Sequence, residues 1–128
     1  LSSLERDICA LQSGLDILTI GKAWSPSLRL SARKPILIVE GMSAAFLPKG
    51  LFDLSICFYT DEETELERRL DRDVAVRGRD MHWIRQTHTS RRQQYEHYYK
   101  LYQEEADILI SQTGENFKID KRSNGLWK

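Results

Sequence analysis

Pro35-Ile36-Leu37-Ile38-Val39-Glu40-Gly41 is the stretch whose reading decides the fold. Residues 36–39 form a short, continuously apolar run rich in β-branched side chains, which reads as a strand covered on both faces, as in a parallel sheet. The run stops at a carboxylate followed by a permissive glycine. The C-terminal edge of such strands is where open α/β sheets hold their ligands. Working toward the C-terminus, residues 54–59 (Leu-Ser-Ile-Cys-Phe-Tyr) form a second strand of the same character, and Asp107-Ile108-Leu109-Ile110 a third. Phe117 and Ile119 in the polar tail can add an edge strand.

Helices join these runs. Thr60-Asp61-Glu62-Glu63 caps a helix whose apolar stripe is Leu66, Leu70 and Val74, and Gly78 ends it. A longer helix over about 81–105 carries Ile84, His88, Arg91, Tyr95, Tyr98, Tyr102 and Ala106 along one side. Toward the N-terminus, Leu4, Ile8, Leu11 and Leu15 recur at helical spacing, with Ser2 and Glu5 as a capping box and Gly14 as the residue past the end. Between them, residues 17–35 read as loop with a short strand near 28–30. Strand, helix, helix, strand with short joins is an α/β pattern.

The chain of 128 residues fits one domain, and its 19 basic and 19 acidic residues cancel, so net charge steers it toward neither nucleic acid nor membrane. No apolar run is long enough to span a bilayer. Cys9 and Cys57 read as small buried hydrophobes of a reducing compartment. Leu1 in place of an initiator Met marks the chain as processed, partial or trimmed.

The densest charged constellation is Arg68-Arg69-x-x-Arg72-Asp73-x-x-x-Arg77-Gly78-Arg79. Arg68, Arg72 and the region of Val76 share a helical face, and Gly78 lets Arg77 and Arg79 turn back over the same space. Guanidiniums that converge repel one another unless an anion joins them, and phosphate oxygens match the arginine fork. The competing reading is a solvated face with surface ion pairs worth roughly 0–1 kcal/mol each. His82, His88 and His97 lack metal-ligand spacing and read as surface or structural residues. Tyr95, Tyr98, Tyr99 and Tyr102 read as a packing face before a base-stacking platform.

In their order, Glu40-Gly41 after a hydrophobic strand, Leu51-Phe52-Asp53-Leu54, Thr60-Asp61, the arginine motif and Ala106-Asp107-Ile108-Leu109-Ile110 resemble the latter part of the uridine kinase/phosphoribulokinase family of P-loop kinases. The resemblance covers about residues 35–110. It implies an α/β fold with a P-loop kinase-like parallel sheet flanked by helices, incomplete at the N-terminus and open at one edge. Residues 1–128 would then be a single partial domain with a helical lid at about 68–105. It implies ATP and magnesium as cofactors and a small-molecule substrate, with phosphorylation of a hydroxyl on a metabolite, foremost a nucleoside such as uridine, by a longer parent. By the same resemblance Arg72, Arg77 and Glu40 are catalytic, Arg69, Arg72, Arg77 and Arg79 bind phosphate or nucleotide, and Gln86 contacts substrate; no metal ligand is assigned. A cytoplasmic location, no nucleic-acid or membrane partner, and room for a homo-oligomer complete the expectation.

The family's Gly-rich phosphate loop and the aspartate after it have no counterpart in these residues, and 21–33 offers Trp24, Ser25, Ser27 and Arg29 where a substrate strand with tyrosine and histidine is expected. The 128 residues alone are therefore expected to show no turnover. The alternative is a non-catalytic phosphate- or nucleotide-binding or interaction module derived from such a kinase.

Overall fold

In the computed structural model, residues 2–122 are described, and the chain divides into two compact units between Asp53 and Leu54. The first unit opens with α1 (Ser2–Gln12), which buries Ile8. Gly14 ends it at φ +82°, a left-handed conformation that glycine adopts without penalty. There Leu15 N–H reaches Ala10 O at 2.9 Å and Gly14 N–H reaches Leu11 O at 3.1 Å, which satisfies two carbonyls of the last turn. A short antiparallel pair follows, β1 (Ile17–Leu18) with β2 (Arg29–Leu30). Asp16 braces it, accepting from Arg29 Nε at 3.0 Å and from Ala32 N–H at 2.9 Å. The strand expected near residues 28–30 is thus present, paired locally.

Residues 36–39 correct the opening expectation. They run as irregular backbone, with Ile36, Leu37 and Ile38 exposed by 74%, 44% and 82%. A strand exists only as part of a ladder, and the described strands of this unit, β1 and β2, pair with each other. Two 3₁₀ turns, Met42–Phe46 and Lys49–Leu51, complete the unit, and Leu47 between them is buried. Cys9, expected inside, is exposed because it lies off the Ile8 face of α1; Cys57 is half-buried, and both thiols are free.

The second unit is built on a mixed sheet, ordered β3 (Ile56–Tyr59), β4 (Ile108–Ser111), β5 (Lys118–Arg122). The α/β class holds and the expected strands at 54–59 and 108–110 run parallel, but the edge strand from the tail makes the sheet mixed. β3 and β4 run parallel in the register Ile56↔Ile108 to Tyr59↔Ser111, while β5 returns antiparallel to β4 because a short turn connects them. Asp107 sets the start of the parallel pair. Its carboxylate accepts from Ser55 N–H at 2.9 Å and Ser55 Oγ at 2.7 Å, and its own N–H donates to Ser55 Oγ at 3.0 Å. Among the described residues β3 pairs on one side alone, leaving Ile56 and Phe58 46% and 52% exposed along the open edge.

The crossover between β3 and β4 holds α2 (Glu62–Leu70), a π-helical turn (Asp71–Val76), α3 (Met81–Tyr98) and α4 (Lys100–Glu105). Asp61 caps α2 by accepting from Thr64 N–H at 2.7 Å, and this bond holds its carboxyl below the ordinary aspartate value. The long helix expected over 81–105 is interrupted at Tyr99, whose φ of −111° separates α3 from α4. Ile84, Ala106 and Ile108 are the buried apolar residues of this unit.

Candidate phosphate-binding site

α2 begins at the C-terminal end of β3, and its start is stitched to the turn after β4. Asp61 N–H donates to Thr113 Oγ1 at 3.3 Å, Gly114 N–H to Thr64 Oγ1 at 3.1 Å, and Arg68 Nη2 to Gly114 O at 2.6 Å. Arg68 is thereby drawn away from the face it was expected to share with Arg72. The inward positions of this segment are Arg69 and Asp73, offset by one residue from the expected pair Leu70 and Val74; Val74 is 37% exposed. A carboxylate goes inside because guanidiniums accompany it, and charge-assisted hydrogen bonds offset its desolvation.

Asp73 is 2% exposed and is the centre of the arginine group. Its carboxylate accepts from Arg72 Nε at 2.9 Å and from Arg77 Nη1 at 3.0 Å, and its backbone carbonyl accepts from Arg79 N–H at 2.9 Å. The π-helical turn, a conformation frequent at functional sites, makes this wrap possible. Gly78 at φ +61° then reverses the chain, its N–H bonded to Val74 O at 3.1 Å. The hydrogen bond from Arg72 holds the Asp73 carboxyl below the usual range, helped by the charges of Arg77 and Arg79; the same bond raises Arg72. The anion that converging arginines require is supplied by the chain itself. The Arg72 and Arg77 side chains remain 55% and 51% exposed, so each keeps N–H groups free to turn toward a ligand.

The other arginines sit differently. The Arg79 guanidinium lies 5.7 Å from the centre of the Trp83 ring, and Arg91 lies 5.9 Å from the same ring. Arg69 is buried, with Nη1 3.3 Å from Nδ1 of the buried His88, while its Nε and Nη2 find no hydrogen-bond partner among the described residues. Burial lowers Arg69, and the nearby charge of Arg91 adds to that.

Arg69, Arg72, Arg77 and Arg79 thus lie on one continuous segment of α2 and its C-terminal turn. Gln86 is exposed, two residues from Ile84 and two from His88, so it faces away from the buried side of α3. Glu40 is exposed in the irregular stretch of the first unit. Among the described residues no three or more His, Cys, Asp or Glu side chains are grouped so as to hold a metal ion.

Sequence reasoning missed the organising part of Asp73, the burial of His88 beside Arg69, and Trp83. Each had a signal: Asp73 stands four residues before Arg77, His88 four after Ile84, and Trp83 four after Arg79. No described helix is long and apolar enough to cross a membrane. The sequence profile of the phosphoribulokinase/uridine kinase family matches residues 22–118, wider than the stretch on which the resemblance was read. Comparison with curated proteins gives no match.

Proposed function

Because this chain belongs to the phosphoribulokinase/uridine kinase family, we propose that its arginine turn grips nucleotide and substrate phosphates during ATP-dependent phosphorylation of a hydroxyl on a small metabolite, with a nucleoside such as uridine as the substrate class. The observation that carries this reading is the pair of half-exposed guanidiniums, Arg72 and Arg77, fixed by one buried carboxylate. Asp73 takes one edge of each fork and leaves the rest of the donors preoriented, which lowers the cost of bringing two cations together before a phosphate arrives. In phosphoryl transfer, positioned positive charge stabilises the transferring group more than covalent chemistry does. Arg79 belongs to the same exposed turn, whereas Arg69 lies buried beneath the surface of its helix.

The test is kcat/KM for Arg72→Ala, Arg77→Ala and Arg79→Ala in the enzyme that joins these residues to a phosphate-binding loop. Each loss is expected to be on the order of 10²–10³-fold, with Lys restoring part, because a point charge does not reproduce the fork. Kinetics near wild type in all three would end the proposal. The 128-residue chain by itself is expected to bind pyrophosphate and ATP without turnover. Binding that persists in the complete protein with no turnover on any nucleoside is the result expected of a non-catalytic phosphate-binding module.

A further inference from the structure

Phosphate gripping by Arg72 and Arg77 leaves Trp83 and Arg91 without a part, yet the structure gathers both of them with Arg79. Asp80 caps α3 by accepting from Trp83 N–H at 2.7 Å, which sets the indole in the first turn of that helix. Arg79, the residue before the cap, is pinned through its N–H to Asp73 O at 2.9 Å. Its guanidinium carbon lies 5.7 Å from the centre of the Trp83 ring. Arg91 stands about two turns further along α3, and helical side chains lean toward the N-terminus. It reaches back until its own guanidinium carbon lies 5.9 Å from the same ring. Both distances are within the ~6 Å reach of a cation–π contact.

Two cations gathered on a ring differ from two gathered on a carboxylate. Asp73 cancels part of the charge of Arg72 and Arg77. An indole attracts guanidiniums through its quadrupole and cancels none of their charge. Among the described residues neither Arg79 nor Arg91 has a carboxylate within salt-bridge distance, and both are exposed, as is Trp83 at 41%. Arg69, lowered first by its burial, is lowered further by the charge of Arg91, so Arg91 stands beside the same arginine segment.

We infer that Trp83 is the floor of a second anion site, where Arg79 and Arg91 take a further phosphate of the chain that Arg72 and Arg77 grip. The ligand class is therefore an oligophosphate, as in a nucleoside triphosphate, and not a single phosphate group. The inference rests on the phosphate-gripping reading of the arginine turn. Trp83 is a positioning residue: its ring holds two guanidiniums near one another against their repulsion, and an incoming phosphate meets the donors of both.

The experiment titrates the 128-residue chain calorimetrically with inorganic orthophosphate and with tripolyphosphate at low ionic strength, where exposed charges are least screened. Arg91→Ala is expected to weaken tripolyphosphate roughly tenfold and orthophosphate less than about twofold, since a single phosphate still has Arg72 and Arg77. Trp83→Leu keeps apolar bulk without a π face and is expected to match that tripolyphosphate loss. Adding Arg91→Ala to it should cost nothing more, because ring and guanidinium act as one unit. Trp83→Phe, which restores a π face, is expected to recover most of the affinity.

Unchanged tripolyphosphate affinity in Arg91→Ala overturns the inference. So does an equal loss for orthophosphate, which marks a general effect of net charge, and so does Trp83→Phe binding as weakly as Trp83→Leu. ATP supplies the last arm: a Trp83→Leu loss seen with ATP and absent with tripolyphosphate makes the ring a base-stacking platform and overturns the anion site. Should Trp83→Leu not fold, the two Arg91→Ala titrations still decide. Loss of binding in Arg72→Ala and Arg77→Ala, with none in Arg91→Ala or Trp83→Leu, sinks the second site alone. Full retention in those first two variants, or no binding of either anion by the wild type, sinks the phosphate-gripping reading with it.

Discussion

Ile36-Leu37-Ile38-Val39 and Ile108-Leu109-Ile110-Ser111 open with the same three residues, yet one is solvent-exposed irregular backbone and the other is the central strand of a sheet. Their intrinsic preferences are alike. What differs is the company each run keeps. Ile108–Ser111 has β3 on one side and β5 on the other, and Asp107 ties its first residue to Ser55 through three hydrogen bonds. Residues 36–39 have no ladder in their own unit. β propensity is therefore fitness for a half-buried pleated surface, realised only where that surface is built.

The sharpest way to break this comparison is to remove the same atoms from each run. Ile108→Ala should cost about 2–4 kcal/mol of unfolding free energy, since a buried isoleucine loses both its transfer energy and its packing. Ile38→Ala should change stability by less than about 0.5 kcal/mol. Urea titrations of the two variants measure both numbers, and equal losses would show that residues 36–39 are packed after all.

The contrast extends to the two carboxylates considered as site residues. Asp73 is enclosed by guanidiniums, whereas Glu40 makes no hydrogen bond or ion pair among the described residues. Asp73→Asn should lower the melting temperature by several degrees at neutral pH. The Asp73 carboxyl is depressed in the folded chain, chiefly by the Arg72 hydrogen bond. Its contribution is therefore complete above the ordinary aspartate value of about 4 and disappears as pH falls through the lower folded value. Wild type and Asp73→Asn should accordingly converge in melting temperature as pH falls below about 4. A gap that stays constant across that range would remove the ion pairs as the cause.

Glu40→Gln should produce the smallest effect, a melting temperature within about one degree of the wild type at every pH, because the side chain is exposed and pairs with none of the described residues. A drop comparable with that of Asp73→Asn would place Glu40 in a charge network and erase the distinction between the two carboxylates.

What could be read from the sequence follows the range of the interactions involved. Gly14, Asp61 and Gly78 act within a few positions of themselves, and the helix boundaries they set are where their identities put them. That residues 54–59 and 108–110 belong to one sheet and run parallel was legible because both runs are apolar and separated by helix-length crossovers. The failure at 36–39 has a physical cause: strand pairing is non-local, and nothing inside the run reveals whether an edge awaits it. Arg69, Arg72, Arg77 and Arg79 were legible as a group because they lie close in sequence. That Asp73 would gather them, and that Arg68 would leave for Gly114, depended on a π-helical turn and on a loop 46 positions away. Sequence spacing carries neither.

The Ser55–Asp107 clamp also bears on the order of events as the chain folds. Its partners are 52 positions apart, so forming it closes a loop whose entropy must be surrendered before the sheet returns any stability. The helices between them rest on contacts a few residues long and can assemble within microseconds. Pairing β3 with β4 is a non-local event of the kind that slows folding as sequence separation grows, whatever the stability of the helices between them.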